Sequence, residues 1–140
     1  MITDATFLLV DDDAVAILAV RRALKRLKIT STTLAASDGQ DALAVLHDAE
    51  PAENSAVVPF IVVLDLQMPR MGGLEFLDAL VGDERLQDVM VLVFAPPEMH
   101  HLIKSKYDQH VHGFLDKDRT EETLAQALSK LRDSSATVSG

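Results

Sequence analysis

The sequence predicts a doubly wound α/β domain, a five-stranded parallel sheet with crossover helices on both faces. Three observations predict it. Five short apolar runs alternate with five amphipathic stretches along 140 residues. Two of those runs, Phe60-Ile61-Val62-Val63-Leu64 and Met90-Val91-Leu92-Val93-Phe94, are apolar at consecutive positions, as strands covered on both faces are. Helix-start and helix-stop signals fall between the runs rather than inside them.

In order along the chain, Phe7-Leu8-Leu9-Val10 is the first strand and ends in Asp11-Asp12-Asp13. Residues 14–27 read as a helix with Ile17, Val20, Leu24 and Leu27 on one face. Residues 32–36 form a second strand of weak propensity. Ser37 with Gln40 reads as a capping box for a helix running to about His47. Residues 50–55, with Pro51 and Asn54, form a polar loop before the third strand, which ends in Asp65. After Met68-Pro69 and Gly72-Gly73, Leu74, Leu77, Ala79 and Leu80 mark a third helix. Pro96-Pro97 stops the fourth strand and opens a helix from about Glu98 to Tyr107. Residues 111–115 form the last strand, and Asp118 with Glu121 caps a last helix lined by Leu124, Leu128 and Leu131. The order is βαβαβαβαβα, one domain over 1–140, with a core of about 6–132 and a polar, frayed tail at 133–140.

Composition narrows the function. Thirteen basic against 22 acidic residues leave a net charge of −9, which argues against DNA or other nucleic acid as a partner. The absence of Cys excludes thiolate catalysis and Cys-based zinc sites. The longest apolar runs, at 14–20, 57–64 and 89–95, fall far short of the ~18–20 residues of a membrane span. With no signal peptide before Asp11, the expectation is a cytoplasmic protein that uses no membrane. His110 and His112 read as neighbours on one strand face and His100-His101 are adjacent, but no set of histidines has convergent metal-ligand spacing.

In open parallel sheets, chemistry collects at the carboxyl ends of the strands. Here those ends carry Asp11-Asp12-Asp13, Asp65 and Asp116-Lys117. Carboxylates brought together repel unless a cation sits among them or one takes a proton. Oxygen-only ligands favour Mg²⁺ or a similar hard ion, and Lys117 adds a point charge for a phosphoryl oxygen. A carboxylate nucleophile, a metal and a lysine suit phosphoryl transfer onto the carboxylate. Asp13 reads equally well as the cap of the helix that starts at Ala14.

Three blocks carry a family resemblance: Leu8-Leu9-Val10-Asp11-Asp12-Asp13, then Val62-Val63-Leu64-Asp65-Leu66-Gln67-Met68-Pro69-Arg70-Met71-Gly72-Gly73, then Gly113-Phe114-Leu115-Asp116-Lys117. In this order and spacing they resemble the receiver domains of bacterial two-component response regulators, over residues 7–131. The resemblance implies a flavodoxin-like (βα)5 sheet in strand order 2-1-3-4-5. It implies that Asp65 is the phosphoacceptor and that Asp12 ligates Mg²⁺ directly. Asp11 would bind the ion mainly through water, and the Gln67 backbone carbonyl would complete the ligands. Lys117 matches the phosphoryl-pairing lysine and Phe114 the aromatic switch position. It further implies a sensor histidine kinase as phosphoryl donor, and no enzymatic turnover beyond self-catalysed phosphorylation and dephosphorylation of the aspartate.

The chain departs from the family at one switch position. The family's Thr or Ser falls 30 residues after the acceptor and 22 before the lysine, and both counts land on Ala95. A hydrogen bond to a charged group contributes about 1.5–3 kcal/mol, and alanine cannot make it. Pro96 stiffens the same loop, and Asp118 stands where the family has a proline, so no cis peptide is expected there.

A finer resemblance, in residues 20–29, the loop before Phe60 and Lys117-Asp118-Arg119, points to stand-alone receivers serving bacterial phytochromes and related kinases. It implies a homodimer through the last two helices and last strand. Arg21, Arg22, Lys25, Arg26 and Lys28 concentrate five of the 13 basic residues on the first helix. They read either as a solvated face or, with the resemblance, as a docking surface (Arg21, Arg22 and Lys25 foremost) for an acidic patch on the kinase.

Two alternatives stand beside a phosphorelay receiver. One is a non-switching interaction module, given Ala95. The other is a small phosphatase with an aspartyl-phosphate intermediate, which would need an acid two residues past the nucleophile, where Gln67 stands.

Overall fold

The computed structural model describes residues 5–48, 60–68 and 71–139, with side chains as far as Arg132. The expected polar loop at 50–55 lies outside the described residues, as do Pro69 and Arg70. Five parallel strands, β1 (Thr6–Val10), β2 (Thr33–Ala36), β3 (Phe60–Asp65), β4 (Met90–Phe94) and β5 (Val111–Leu115), form one sheet in the order β2-β1-β3-β4-β5. The helices are α1 (Ala14–Arg26), α2 (Gly39–Asp48), α3 (Gly73–Val81), α4 (Pro97–Tyr107) and α5 (Thr120–Ser139). The fold class and strand order are as expected.

Alternation along the strands divides the core in two. Leu8, Val10, Val62, Leu64, Val91 and Val93 pack on the side of α2, α3 and α4, against Phe76, Leu77, Leu80, Ile103 and Tyr107. Phe7, Leu9, Ile61, Val63, Leu92 and Phe94 face α1 and α5, against Val20, Ala23, Leu24, Leu124, Ala127 and Leu128. Successive side chains of a strand point to opposite faces, so consecutive apolar residues are what a doubly covered strand requires. The edge strand β2 has one covered position, Ala36, and leaves Leu34 and Ala35 exposed, in keeping with its weak propensity. On α3 the buried residues are Gly73, Phe76, Leu77 and Leu80, while Leu74 is exposed to one side of that stripe.

Local chemistry corrects the expected starts and stops. Asp38, not Ser37, caps α2: its buried carboxylate accepts from the Asp41 amide at 2.9 Å, while the Ser37 hydroxyl donates to Asp41 Oδ2. Before α5 the chain makes a 3₁₀ turn, Lys117–Arg119, capped by Asp116 through the Asp118 amide at 2.9 Å, so Asp118 and Glu121 form no capping box. The helix continues through 134–139, where a frayed tail was expected; no Gly or Pro interrupts it before Gly140. His110 precedes β5 and is fully buried, its Nδ1 donating to the Val89 carbonyl at 2.8 Å, whereas His112 is exposed; the two share no face.

Two backbone features position the loops at the carboxyl edge. Gly73 runs so close beneath the end of β3 that a Cβ would lie 2.6 Å from Leu66 Cα and 2.9 Å from the Asp65 carbonyl oxygen, so only glycine fits. Lys28 closes α1 in the left-handed region at φ 62°, with its amide on the Lys25 carbonyl and the Ile29 amide on the Leu24 carbonyl. This pairing is a Schellman cap built on lysine where glycine is the usual residue.

Candidate functional site

Register brings the strand ends together. Val10 pairs with Leu64, Asp65 with Phe94, and Phe94 with Leu115. The residues that follow β1 and β5, and the last residue of β3, therefore meet at one edge. Asp11 and Asp65 are buried there, and Asp12 is exposed. Carboxylate oxygens of Asp11, Asp12 and Asp65 lie within 4.8 Å of one another. Lys117 Nζ reaches Asp65 Oδ2 at 3.3 Å and Asp11 Oδ2 at 3.4 Å, and stands 5.9 Å from the centre of the Phe94 ring. Asp11 Oδ1 accepts from the Asp13 amide at 2.9 Å, and Asp65 Oδ1 from the Gln67 amide at 3.3 Å.

The electrostatics follow from burial and crowding. Burial pushes the Asp11 carboxyl above its ordinary value, and the Asp65 charge adds to this; the Asp13 amide and Lys117 oppose it. Burial alone would lower Lys117, but the attraction of Asp11 and Asp65 outweighs it and holds the ammonium above its usual range. Three carboxylates against one lysine leave a surplus of negative charge in a half-enclosed corner. Hard oxygen ligands at this spacing fit a divalent cation of the magnesium type.

Asp13 is not part of the cluster: its carboxylate caps α1, accepting from the Val15 amide at 2.9 Å. Asp116 is likewise committed to its 3₁₀ turn. A cleft of about 820 Å³ runs from the acidic corner between β4, α4 and β5; Asp65, Gln67, Ala95, Pro96, Phe114 and Lys117 are among the residues that line it. Ala95 and Phe114 are half-buried. Arg21, Arg22 and Lys25 lie exposed on α1, away from the cleft, while Arg26 pairs with Glu121 of α5 at 3.3 Å.

One cleft residue escaped the sequence reading. His100 of α4 stacks on Phe114 with ring centroids 4.0 Å apart, and its Nε2 donates to the Ala95 carbonyl at 2.9 Å. Only its place five residues after Ala95 hinted at this, since the contact needs β5 alongside α4.

Comparison with known proteins agrees with this geometry. Residues 7–129 match the family described as response regulator receiver domain. The chemotaxis protein CheY of Pseudomonas aeruginosa is 31% identical over 124 residues, 89% of this chain and 93% of the relative. The probable methanogenesis regulatory protein FilR2 of Methanothrix harundinacea is 29% identical over 126 residues, 90% of this chain and 80% of the relative. Among solved structures, the bacteriophytochrome response regulator AtBRR superposes with a TM-score of 0.70 at 27% identity, covering 91% of each chain. Family match, strand order and the acidic corner at the carboxyl edge of the sheet agree: the chain belongs to the response regulator receiver domains, the phosphoacceptor modules of two-component signalling.

Proposed function

We propose that this receiver takes a phosphoryl group on Asp65 from the phosphohistidine of a sensor histidine kinase, with Mg²⁺ at the acidic corner. The single observation that carries this is the placement of buried Asp65 against Lys117, with oxygens of Asp11 and Asp12 within 4.8 Å. Asp11, Asp12, Asp65 and the Gln67 backbone carbonyl would hold the ion, which when bound offsets the crowded negative charge and that of the incoming phosphoryl group. A carboxylate oxygen of Asp65 attacks phosphorus, the P–N bond to the donor histidine breaks, and the histidine leaves with the bonding electrons and takes up a proton. Lys117 Nζ, 3.3 Å from Asp65 Oδ2, is placed to pair with a phosphoryl oxygen as charge builds there. Hydrolysis of the acyl phosphate returns the carboxylate and releases inorganic phosphate, and this reading includes no other turnover.

The exposed Arg21, Arg22 and Lys25 offer the kinase a basic face on an otherwise acidic protein. The likeness to AtBRR, a bacteriophytochrome response regulator, supports a bacteriophytochrome kinase as the class of partner. A cytoplasmic setting, a homodimer through α4, β5 and α5, and no DNA contact complete this reading. The test is the intact mass after incubation with Mg²⁺ and a small acyl phosphate. One phosphoryl group is expected, none without Mg²⁺ and none in Asp65→Asn; an adduct that survives Asp65→Asn refutes the assignment. Ala95 favours a second reading, a module that binds its partner irrespective of phosphorylation. A beryllofluoride titration that changes partner affinity or self-association rejects it.

A further inference from the structure

His100 joins two parts of the cleft that are far apart in sequence. Its imidazole lies nearly parallel to the Phe114 ring, with an interplanar angle of 8°. Its Nε2 is bonded to the Ala95 carbonyl. A carbonyl oxygen only accepts, so Nε2 carries the hydrogen. The imidazole is therefore held by one directional bond to the end of β4 and by one face-to-face contact with the middle of β5. Both anchors adjoin the acidic corner. Asp65 pairs in register with Phe94, the residue before Ala95, and Phe94 pairs with Leu115, the residue after Phe114.

The Ala95 side chain is a methyl group, with nothing to donate or accept. What this residue offers its surroundings is its backbone, and its carbonyl is taken by His100. Pro96 and Pro97 follow, each with a restricted φ, so a displacement of the Ala95 carbonyl would carry this stiff entry into α4 with it. A shift of that piece would reach Phe114 through the imidazole, which is in contact with both.

We propose that His100 is the positioning residue that couples the Asp65 end of the cleft to the Phe114 ring, through the Ala95 carbonyl on one side and the ring stack on the other. This rests on the reading of Asp65 as phosphoacceptor. When the phosphoryl group draws or displaces the 95–97 loop, the carbonyl carries Nε2 with it, and the imidazole sliding over Phe114 changes the ring's environment and rotamer. The route uses backbone and aromatic contacts and needs no hydroxyl at position 95.

The experiment uses the full chain labelled with fluorinated phenylalanine. The Phe114 resonance is assigned with Phe114→Leu and recorded before and after Mg²⁺ with beryllofluoride. Intact mass after an acyl phosphate is measured in parallel. In the unmodified chain the Phe114 resonance shifts with the mimic. His100→Ala is expected to move the resting resonance, by removing the stacked ring, and to lose the mimic-induced shift while still accepting the phosphoryl group. His100→Phe is expected to keep a ring over Phe114 yet also lose the mimic-induced shift, because the bond to Ala95 is gone; a purely structural role would not divide the two readouts. A mimic-induced shift that persists in His100→Ala, or one absent from an unmodified chain that does take the phosphoryl group, overturns the proposal and leaves the acceptor assignment standing. Loss of the adduct in His100→Ala also overturns it, by placing His100 in the acceptor chemistry. No adduct on the unmodified chain defeats the acceptor assignment and this proposal together.

Discussion

The two ends of the cleft are built differently. The acidic corner draws Asp11, Asp12, Asp65 and Lys117 from three strand ends, with buried strands behind them and two ion pairs between them. The Ala95–His100–Phe114 end is half-buried and is held by one hydrogen bond and one ring stack. The first arrangement is over-determined: moving one acid leaves the others in place. The second has no redundancy, so one substitution disconnects it. On the proposed reading, acceptance of the phosphoryl group and its transmission are separable, and variants at the two ends should separate them.

The largest effect belongs to Asp65→Asn, which removes the proposed nucleophile and is expected to abolish the phosphoryl adduct by intact mass while the fold, read by circular dichroism, persists. Lys117→Ala should retain the acceptor but slow its phosphorylation by about 10²-fold, the usual cost of removing one donor aimed at developing charge. Stopped-flow phosphorylation measures this, and an unchanged rate would take Lys117 out of the corner.

At the other end, Ala95→Thr adds a hydroxyl beside the acceptor. If it reaches the phosphoryl mimic, a charged hydrogen bond worth about 1.5 kcal/mol tightens beryllofluoride roughly tenfold, with little change in phosphorylation rate. Unchanged affinity would mean that position 95 does not face the group.

The smallest effect is one of stability. Because the native Asp11 carboxyl sits above its ordinary 3.8, the folded chain binds that proton more tightly than the unfolded chain does. Stability therefore falls as pH rises through the window from 3.8 to the elevated value, and above it the ionised Asp11 is a standing cost. Asp11→Asn should raise the metal-free melting temperature at neutral pH. Mg²⁺ binding by the unmodified chain should weaken as pH is lowered into that window, because protons compete for the same oxygens. A melting temperature for Asp11→Asn at or below that of the unmodified chain would show that the corner is relaxed without a cation.

Much of this was legible in the residues. The doubly covered strands announced themselves by consecutive apolar positions, and β5 by its short run before Asp116. The acidic corner was legible because each member stands at or just past a strand end, where parallel topology gathers side chains whatever the loops do. Local capping was less so. Ser37 and Asp38 both offer an oxygen to the start of α2, and only the geometry of the entering chain selects Asp38. Likewise Asp116 Oδ1 accepts from the Asp118 amide and winds Lys117–Arg119 into a 3₁₀ turn, which places Asp118 inside the turn rather than at the start of the last helix.

Amino-acid order by itself determined the alternation of strands and helices, the parallel sheet and the placing of three carboxylates and a lysine at its edge, because periodicity and strand ends are properties of short stretches. Only the tertiary structure decided that a lysine closes α1 at φ 62° and that His100 spans from the Ala95 carbonyl to the Phe114 ring. The first depends on how the chain must turn to enter β2. The second depends on the distance between α4 and β5, which is set by the core that Ile103, Tyr107 and Val111 share with the other strands and helices, and by Lys104 Nζ on the Val111 carbonyl at 2.9 Å.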